Sequence, residues 1–274
     1  MTQFVRPRDL AEAVAARAAH PDWMLLAGAT DLMVNANHKA APAGIIDVWR
    51  LADLGFIEVT PDTISIGAGT TWHEVERHPA IRDKLLPLAQ AAREIGALQI
   101  QARATLGGNV GTSSPVGDSL PVLLALDATL ELASPRGRRR VPYATFCTGY
   151  RKTLLAADEL IVAAHVPVPS AATRTTWRKV GTRRAQSISK VMGAAAITLD
   201  GGTVVSARVA LGAVADRPIR IAAVEDAVKG LPLAQAAEAA RAAVRASIKP
   251  IDDVRSTSSY RREVAENIVA RFFG

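Results

Sequence analysis

The run Ala104-Thr105-Leu106-Gly107-Gly108-Asn109-Val110-Gly111-Thr112-Ser113-Ser114-Pro115-Val116-Gly117-Asp118 sets the reading of the whole chain. Its adjacent glycines, Gly107 and Gly108, lack a Cβ, which lets a backbone take positive φ and approach a ligand closely. Successive N–H groups in such a turn form a concave, anion-binding nest. Thr105, Asn109, Thr112, Ser113 and Ser114 add short hydrogen-bonding side chains. Asp118 reads as the N-cap of a helix starting at Ser119, with Pro121 in its first turn and an apolar run to Leu126. The stretch is thus a candidate backbone cradle for a phosphorylated ligand. The plainer reading is a tight connection from strand to helix. It matches neither Gly-x-x-x-x-Gly-Lys-Ser/Thr nor Gly-x-Gly-x-x-Gly.

Working outward, composition sets the class. The chain has 274 residues, 49% hydrophobic, 22% charged and 4% aromatic, so the core must be built mainly from Ala, Val, Leu and Ile. A formal charge of +7 suits an acidic partner. The densest cluster, Arg136-Gly137-Arg138-Arg139-Arg140, reads as a solvated hairpin tip. It has no interleaved aromatics, which argues against nucleic-acid binding. The single cysteine, Cys147, excludes an internal disulfide and any cysteine-ligated zinc or iron–sulfur site. No secretory leader and no run of about 18 apolar residues is visible, so a cytoplasmic protein without a membrane span is expected.

Before the opening stretch, Asp9 caps a helix over residues 10–19, and residues 23–27 form a short apolar strand. Gly28-Ala29-Thr30-Asp31 then reads, taken alone, as an ordinary strand–helix turn, and is also a candidate second anion-binding loop with a helix N-terminus behind it. Residues 44–49 read as a strand, and residues 54–59 and 63–67 as a hairpin. A helix follows near residues 73–78, and another over 81–96 closed by Gly96. His73 and His78, five apart with no acidic cluster, read as surface or packing residues. After the opening stretch come a hairpin around the arginines, a polar loop at 148–155 and a strand at 159–166. A Pro- and Ala-rich linker near 167–173 precedes three strands, with Asp200-Gly201-Gly202 as a hairpin turn. Helices at 219–229, 233–248 and 258–272 end the chain.

Several ordered motifs carry a family resemblance. Thr105-Leu106-Gly107-Gly108-Asn109 followed by Ser114-Pro115-Val116-Gly117-Asp118 resembles the second FAD loop of the flavin subunits of molybdenum hydroxylases. These include the FAD subunit of xanthine dehydrogenase and the medium subunit of carbon monoxide dehydrogenase. Gly28-Ala29-Thr30-Asp31 resembles their first FAD loop, usually Ala-Gly-Gly-Thr-Asp-Leu, with Ala29 in place of the second glycine. If that residue takes positive φ, alanine costs about 1 kcal/mol. Ile95-Gly96-Ala97-Leu98-Gln99-Ile100 is similar to the family, but Gln101-Ala102 stands where Arg-Asn is usual. Gly149-Tyr150-Arg151-Lys152-Thr153-Leu154-Leu155 and, near the end, Asp252-Asp253-Val254-Arg255 and Tyr260-Arg261-Arg262-Glu263-Val264 complete a resemblance covering residues 4–272.

The resemblance implies an α+β protein. Residues 1–170 would be a two-lobed FAD-binding module (lobes about 1–54 and 55–170), and residues 171–274 a small antiparallel sheet with three helices. It implies noncovalent FAD, with the pyrophosphate on Ala27, Gly28, Ala29 and Thr30 and on Thr105, Gly107, Gly108 and Asn109, and with Leu25, Asp31 and Thr112 as further cofactor-binding residues. Asp118 would reach the ribityl or pyrophosphate region. Ile95, Gly96, Leu160, Ile161 and Lys179 would lie toward the isoalloxazine. No catalytic acid–base set and no metal ligands are legible in the chain itself, which suits a protein whose cofactor carries the chemistry. The implied role is electron transfer from an iron–sulfur subunit, itself supplied by a molybdenum-cofactor subunit, to NAD or another acceptor. The rival reading is a structural or assembly subunit that has lost tight FAD binding.

Overall fold

The computed structural model describes residues 2–34, 36–38 and 40–274. The first lobe holds β1 (Gln3–Val5), α1 (Leu10–Ala19), β2 (Met24–Leu26) and β3 (Gly44–Asp47). Its three strands are parallel, in the order β1-β3-β2. Asp9 caps α1 by accepting from the Glu12 N–H at 2.8 Å, and Leu10 and Ala13 turn into the core.

The second lobe is a five-stranded antiparallel sheet, ordered β4-β5-β10-β6-β7, with helices inserted between its strands. In chain order these are β4 (Ile57–Val59), β5 (Thr63–Gly67), α2 (Trp72–Arg77), α3 (Pro79–Lys84), α4 (Leu86–Glu94), α5 (Leu98–Gln101), α6 (Leu106–Thr112), α7 (Leu120–Ala125), β6 (Thr129–Ser134), β7 (Gly137–Pro142), α8 (Tyr143–Phe146), a small hairpin of β8 (Cys147–Gly149) and β9 (Lys152–Thr153), and β10 (Leu160–Pro167). A capping box starts α2, with Thr71 and Glu74 satisfying each other's backbone N–H groups.

The carboxy-terminal domain is a four-stranded antiparallel sheet, β11 (Thr173–Val180), β12 (Val191–Asp200), β13 (Thr203–Gly212) and β14 (Ile219–Arg220), with α9 (Ala222–Val228), α10 (Leu233–Ser247) and α11 (Ser258–Phe272). Strand alternation lets this sheet serve two cores at once. Ala194, Ala196 and Ala210 pack into the core of the FAD-module sheet, whereas Ala195, Ile197, Val209 and Leu211 pack against the helices. Small alanines on the first side let β12 lie close to α7.

Several local expectations need correction, among them the helix read from residue 219, where Ile219 and Arg220 pair as β14 and the helix begins at Ala222. The helix read as continuous over 81–96 is broken into α3 and α4 at Leu85, because Pro87 opens a new first turn. Behind Gly28 the described residues form turns and one 3₁₀ turn, Ala36–His38, instead of an α-helix; Asn35 and Lys39 lie outside the description. The stretch 106–112 is helical, so Gly107 and Gly108 have no positive φ. The arginine cluster is not a free tip. The turn is Pro135-Arg136, and Arg138, Arg139 and Arg140 belong to β7. Arg138 and Arg140 pair with Glu131 on one face, and Arg139 with Glu159 on the other, where Glu159 is buried.

That last pair gives a pH prediction. Hydrogen bonding from Arg139 holds the Glu159 carboxyl below the ordinary glutamate value of 4.5, against the opposing effect of burial. A lowered folded-state pKa stabilises the fold above the unfolded pKa, and this is lost as pH falls through the folded value. Thermal melts between about pH 6 and pH 3.5 are expected to show a smaller loss of Tm for Glu159→Gln than for the unsubstituted chain. Parallel curves would contradict it.

Candidate functional site

A cleft of about 510 Å³ opens between the two lobes. One wall is Leu25 of β2 and the loop after that strand, with Ala27, Gly28, Ala29, Thr30, Asp31 and Leu32. The facing wall comes from α6 and the turn after it, with Thr105, Gly107, Gly108, Asn109, Gly111, Thr112, Ser114 and Gly117. Apolar side chains close the rest: Val48, Leu54, Trp72, Ile95, Ile100, Leu155, Leu160 and Ile161. An apolar cleft with a few polar groups in its wall has the usual make-up of a small-molecule site.

The first loop is held by backbone contact. A Cβ at Gly28 would stand 1.7 Å from the Arg103 carbonyl oxygen, so only glycine fits. Arg103 is itself pinned, with its guanidinium 3.9 Å from the centre of the Trp49 ring. Ala29 then turns left-handed, with φ 66°. The N–H groups of Gly28, Ala29, Thr30 and Asp31 find no acceptor among the described residues. Four successive unpaired donors around a left-handed residue form the nest that favours an anion. Across the cleft mouth, Arg151 of the β8–β9 hairpin reaches Asp31 at 3.3 Å, joining the second lobe to the first loop.

The second wall works differently from the sequence reading. Leu106 N–H donates to Thr70 O at 3.0 Å, Gly107 N–H to Ala68 O at 2.8 Å, and Gly108 N–H to Thr105 Oγ1 at 3.0 Å. The first turn of α6 has therefore already spent its donors. Gly107 is required because a Cβ there would meet Ala68 at 2.7 Å. The glycines let this helix lie flat on the β5–α2 connection, and the anion-holding N–H groups sit on the other loop. Asn109 accepts from Ser119 Oγ at 2.7 Å, which leaves its amide nitrogen unbonded among the described residues.

Asp118 does not cap a helix. The N-cap of α7 is Ser119, and it makes no side-chain cap. Asp118 is buried and receives Lys179 Nζ at 2.6 Å and Ser189 Oγ at 2.5 Å, while its carbonyl accepts from Trp177 Nε1 at 3.1 Å. Lys179 also donates to Glu94 O at 3.2 Å. Burial pushes the Asp118 carboxyl above its ordinary range, and Lys179 and Ser189 offset part of that. Gly96, Asp118 and Lys179 thus stand behind the cleft wall, whereas the other sequence-selected residues line it. The ion pair ties the carboxy-terminal sheet to Gly117 and Ile95, the wall residues next in sequence to Asp118 and Glu94.

Sequence reading missed Arg17, Trp72, Ile100 and Leu155 as wall residues. Ile100 and Leu155 lay within motifs that carry the family resemblance. Arg17 and Trp72 sit in helices whose spacing carries no ligand signal. Among the described residues no group of three or more His, Cys, Asp or Glu is placed to hold a metal ion, and no helix is long and apolar enough to cross a membrane.

Comparison with known proteins covers the whole chain. The family described as FAD binding domain in molybdopterin dehydrogenase matches residues 1–169, and that described as CO dehydrogenase flavoprotein C-terminal domain matches residues 177–274. The nicotinate dehydrogenase FAD-subunit of Eubacterium barkeri is 30% identical over 99% of this chain and 94% of its own length. The putative xanthine dehydrogenase FAD-binding subunit of Escherichia coli K12 is 33% identical over 98% of this chain and 93% of its own. Among solved structures, a chain of carbon monoxide dehydrogenase from Hydrogenophaga pseudoflava superposes with a TM-score of 0.94 at 32% identity, covering 98% of this chain and 95% of that one.

Two substitutions test the site's construction. Ala29→Gly should relieve the left-handed alanine and raise stability by about 0.5–1 kcal/mol, read as a higher denaturation midpoint; a lower midpoint would contradict the assigned backbone. Lys179→Met strands the Asp118 carboxylate and should cost about 3 kcal/mol. Substituting the exposed Lys249 in the same way should cost almost nothing, and equal costs would remove Asp118–Lys179 as a buried tie.

Proposed function

This chain belongs to the family of FAD-binding medium subunits of molybdenum hydroxylases, and from that membership we propose that it binds one FAD noncovalently in the interlobe cleft and relays electrons within a multi-subunit complex. The observation that carries the reading is the set of N–H groups at residues 28–31, without an acceptor among the described residues, on a loop that lines the mainly apolar interlobe cleft. A pyrophosphate there would gain hydrogen bonds to backbone dipoles already oriented, with little reorganisation. Thr105, Gly107, Gly108, Asn109 and Thr112 form the opposite wall. The small residues at 107 and 108 keep that wall low enough for a flat ligand. Leu25, Leu160, Ile161 and Ile95 offer apolar faces to the rings and exclude water from them. Gly96, Asp118 and Lys179 support the wall from behind. Bound FAD supplies the ability to accept electrons in pairs or singly; the chain's residues hold and orient it.

The complex rests on the family membership. Cluster ligation takes about four cysteines per [2Fe–2S] centre, and the chain has only Cys147, so it holds no such cluster itself. In this reading an iron–sulfur partner and a molybdenum-cofactor partner bring electrons and substrate chemistry, with NAD or another acceptor taking the electrons away. One observation favours the alternative, a structural subunit without tight FAD. The Ala29 methyl stands in the cleft wall at a left-handed position where the resemblance calls for glycine.

Purified protein, denatured and examined for released flavin, separates the two. FAD at about one equivalent is expected, with uptake on titration of any apoprotein. Gly108→Val, whose Cβ would already touch Thr105 Oγ1 at 3.0 Å, should reduce that uptake. Protein that carries no FAD and takes up none leaves the structural reading standing. The isolated chain should not oxidise purines, aldehydes or N-heterocycles with a dye acceptor, and turnover by metal-free protein would overturn the subunit role.

A further inference from the structure

Four buried side-chain nitrogens lack a hydrogen-bond partner among the described residues: Arg17 Nε, Trp72 Nε1, His78 Nδ1 and Arg261 Nε. Two of these, on Arg17 and Trp72, belong to residues that line the interlobe cleft. A buried donor without an acceptor costs free energy, so a native fold rarely keeps one without a use for it. Arg17 is the more informative of the two because it also carries a charge.

Arg17 projects from the last turn of α1. Its Nη1 donates to the Trp23 carbonyl at 3.0 Å, just ahead of β2, the strand that leads to Gly28. Its Nη2 has no hydrogen-bond partner among the described residues, and no carboxylate stands within ion-pair distance. Asp158 and Asp22 act on it only from farther away, and partial burial lowers its pKa. The other charged residue in the wall, Asp31, is engaged by Arg151. Among the described residues, then, Arg17 is the one charge in the cleft wall that has no counter-ion.

We propose that Arg17 is a cofactor-binding residue whose guanidinium takes the anionic pyrophosphate–adenosine half of the dinucleotide. The assignment rests on the FAD reading above. The nest at 28–31 supplies oriented dipoles but no net charge, and a diphosphate entering an apolar cleft needs a counter-charge as well as donors. Arg17 supplies it from the wall of the same cleft, and the ligand in turn supplies the acceptor that the guanidinium lacks. The bond to Trp23 O positions the group without using its charge. Trp72 Nε1 is a neutral donor in the same wall and leaves the charge balance unchanged.

The test uses full-length apoprotein titrated with FAD, ADP and riboflavin, the last two carrying opposite halves of the cofactor. Arg17→Met should weaken FAD and ADP by about ten-fold and leave riboflavin unchanged, with the apoprotein Tm preserved. Arg17→Lys, which keeps charge but loses the planar fork, should recover part of the loss. Unchanged FAD and ADP affinity in Arg17→Met would overturn the assignment. So would equal weakening of all three ligands together with a lower Tm, which would mark a packing role. If the unsubstituted chain binds neither FAD nor ADP, the functional reading itself falls, and this inference with it.

Discussion

The cleft depends on one close approach between two backbones. Gly28 lies against the Arg103 carbonyl so tightly that any Cβ would occupy the space of that oxygen. This contact sets the spacing between the first loop and the segment leading into α6, and hence the width of the cleft. Ala29 follows it in the left-handed region, and the N–H groups of residues 28–31 have no acceptor among the described residues. The two glycine-containing loops thus have unequal duties. The first exposes donors, and the second, its donors spent on Ala68 and Thr70, is a packed surface against which a ligand can lie.

The carboxy-terminal domain takes part in the same construction. Trp177, Lys179 and Ser189 all converge on Asp118. A buried ion pair of this kind contributes little net stability over an apolar replacement, yet losing one partner is expensive. Its value here is geometric, since it holds Gly117 and Ile95 in the cleft wall from a separate domain.

Much of the fold was legible because periodicity was strong. Asp9 and the apolar spacing behind it gave α1 to the residue, and Asp200-Gly201-Gly202 gave the turn between β12 and β13, where both glycines have positive φ. Ser258–Phe272 was read with the same ends. Misreadings fell where a local signal had two meanings. Gly107-Gly108 signals a left-handed loop or a close helix approach, and only the position of Ala68 decides between them. Asp118 looks like a cap from its neighbours in sequence, but its partners lie 61 and 71 residues away. Arg138, Arg139 and Arg140 look like a solvated run until strand pairing brings Glu131 and Glu159 beside them. The first loop was a candidate from its Gly turn, and its assignment to FAD came through resemblance. That its N–H groups have no acceptor among the described residues, and that Arg17 reaches the same cleft, required coordinates.

Amide hydrogen exchange of the apoprotein with and without FAD tests the central claim most directly. Unpaired donors exchange freely, and a ligand that bonds to them slows them. The account predicts that FAD protects the amides of residues 28–31 strongly, whereas those of Leu106, Gly107 and Gly108, already bonded, start protected and change little. Protection confined to α6, or no protection at either loop while FAD is bound, would contradict it.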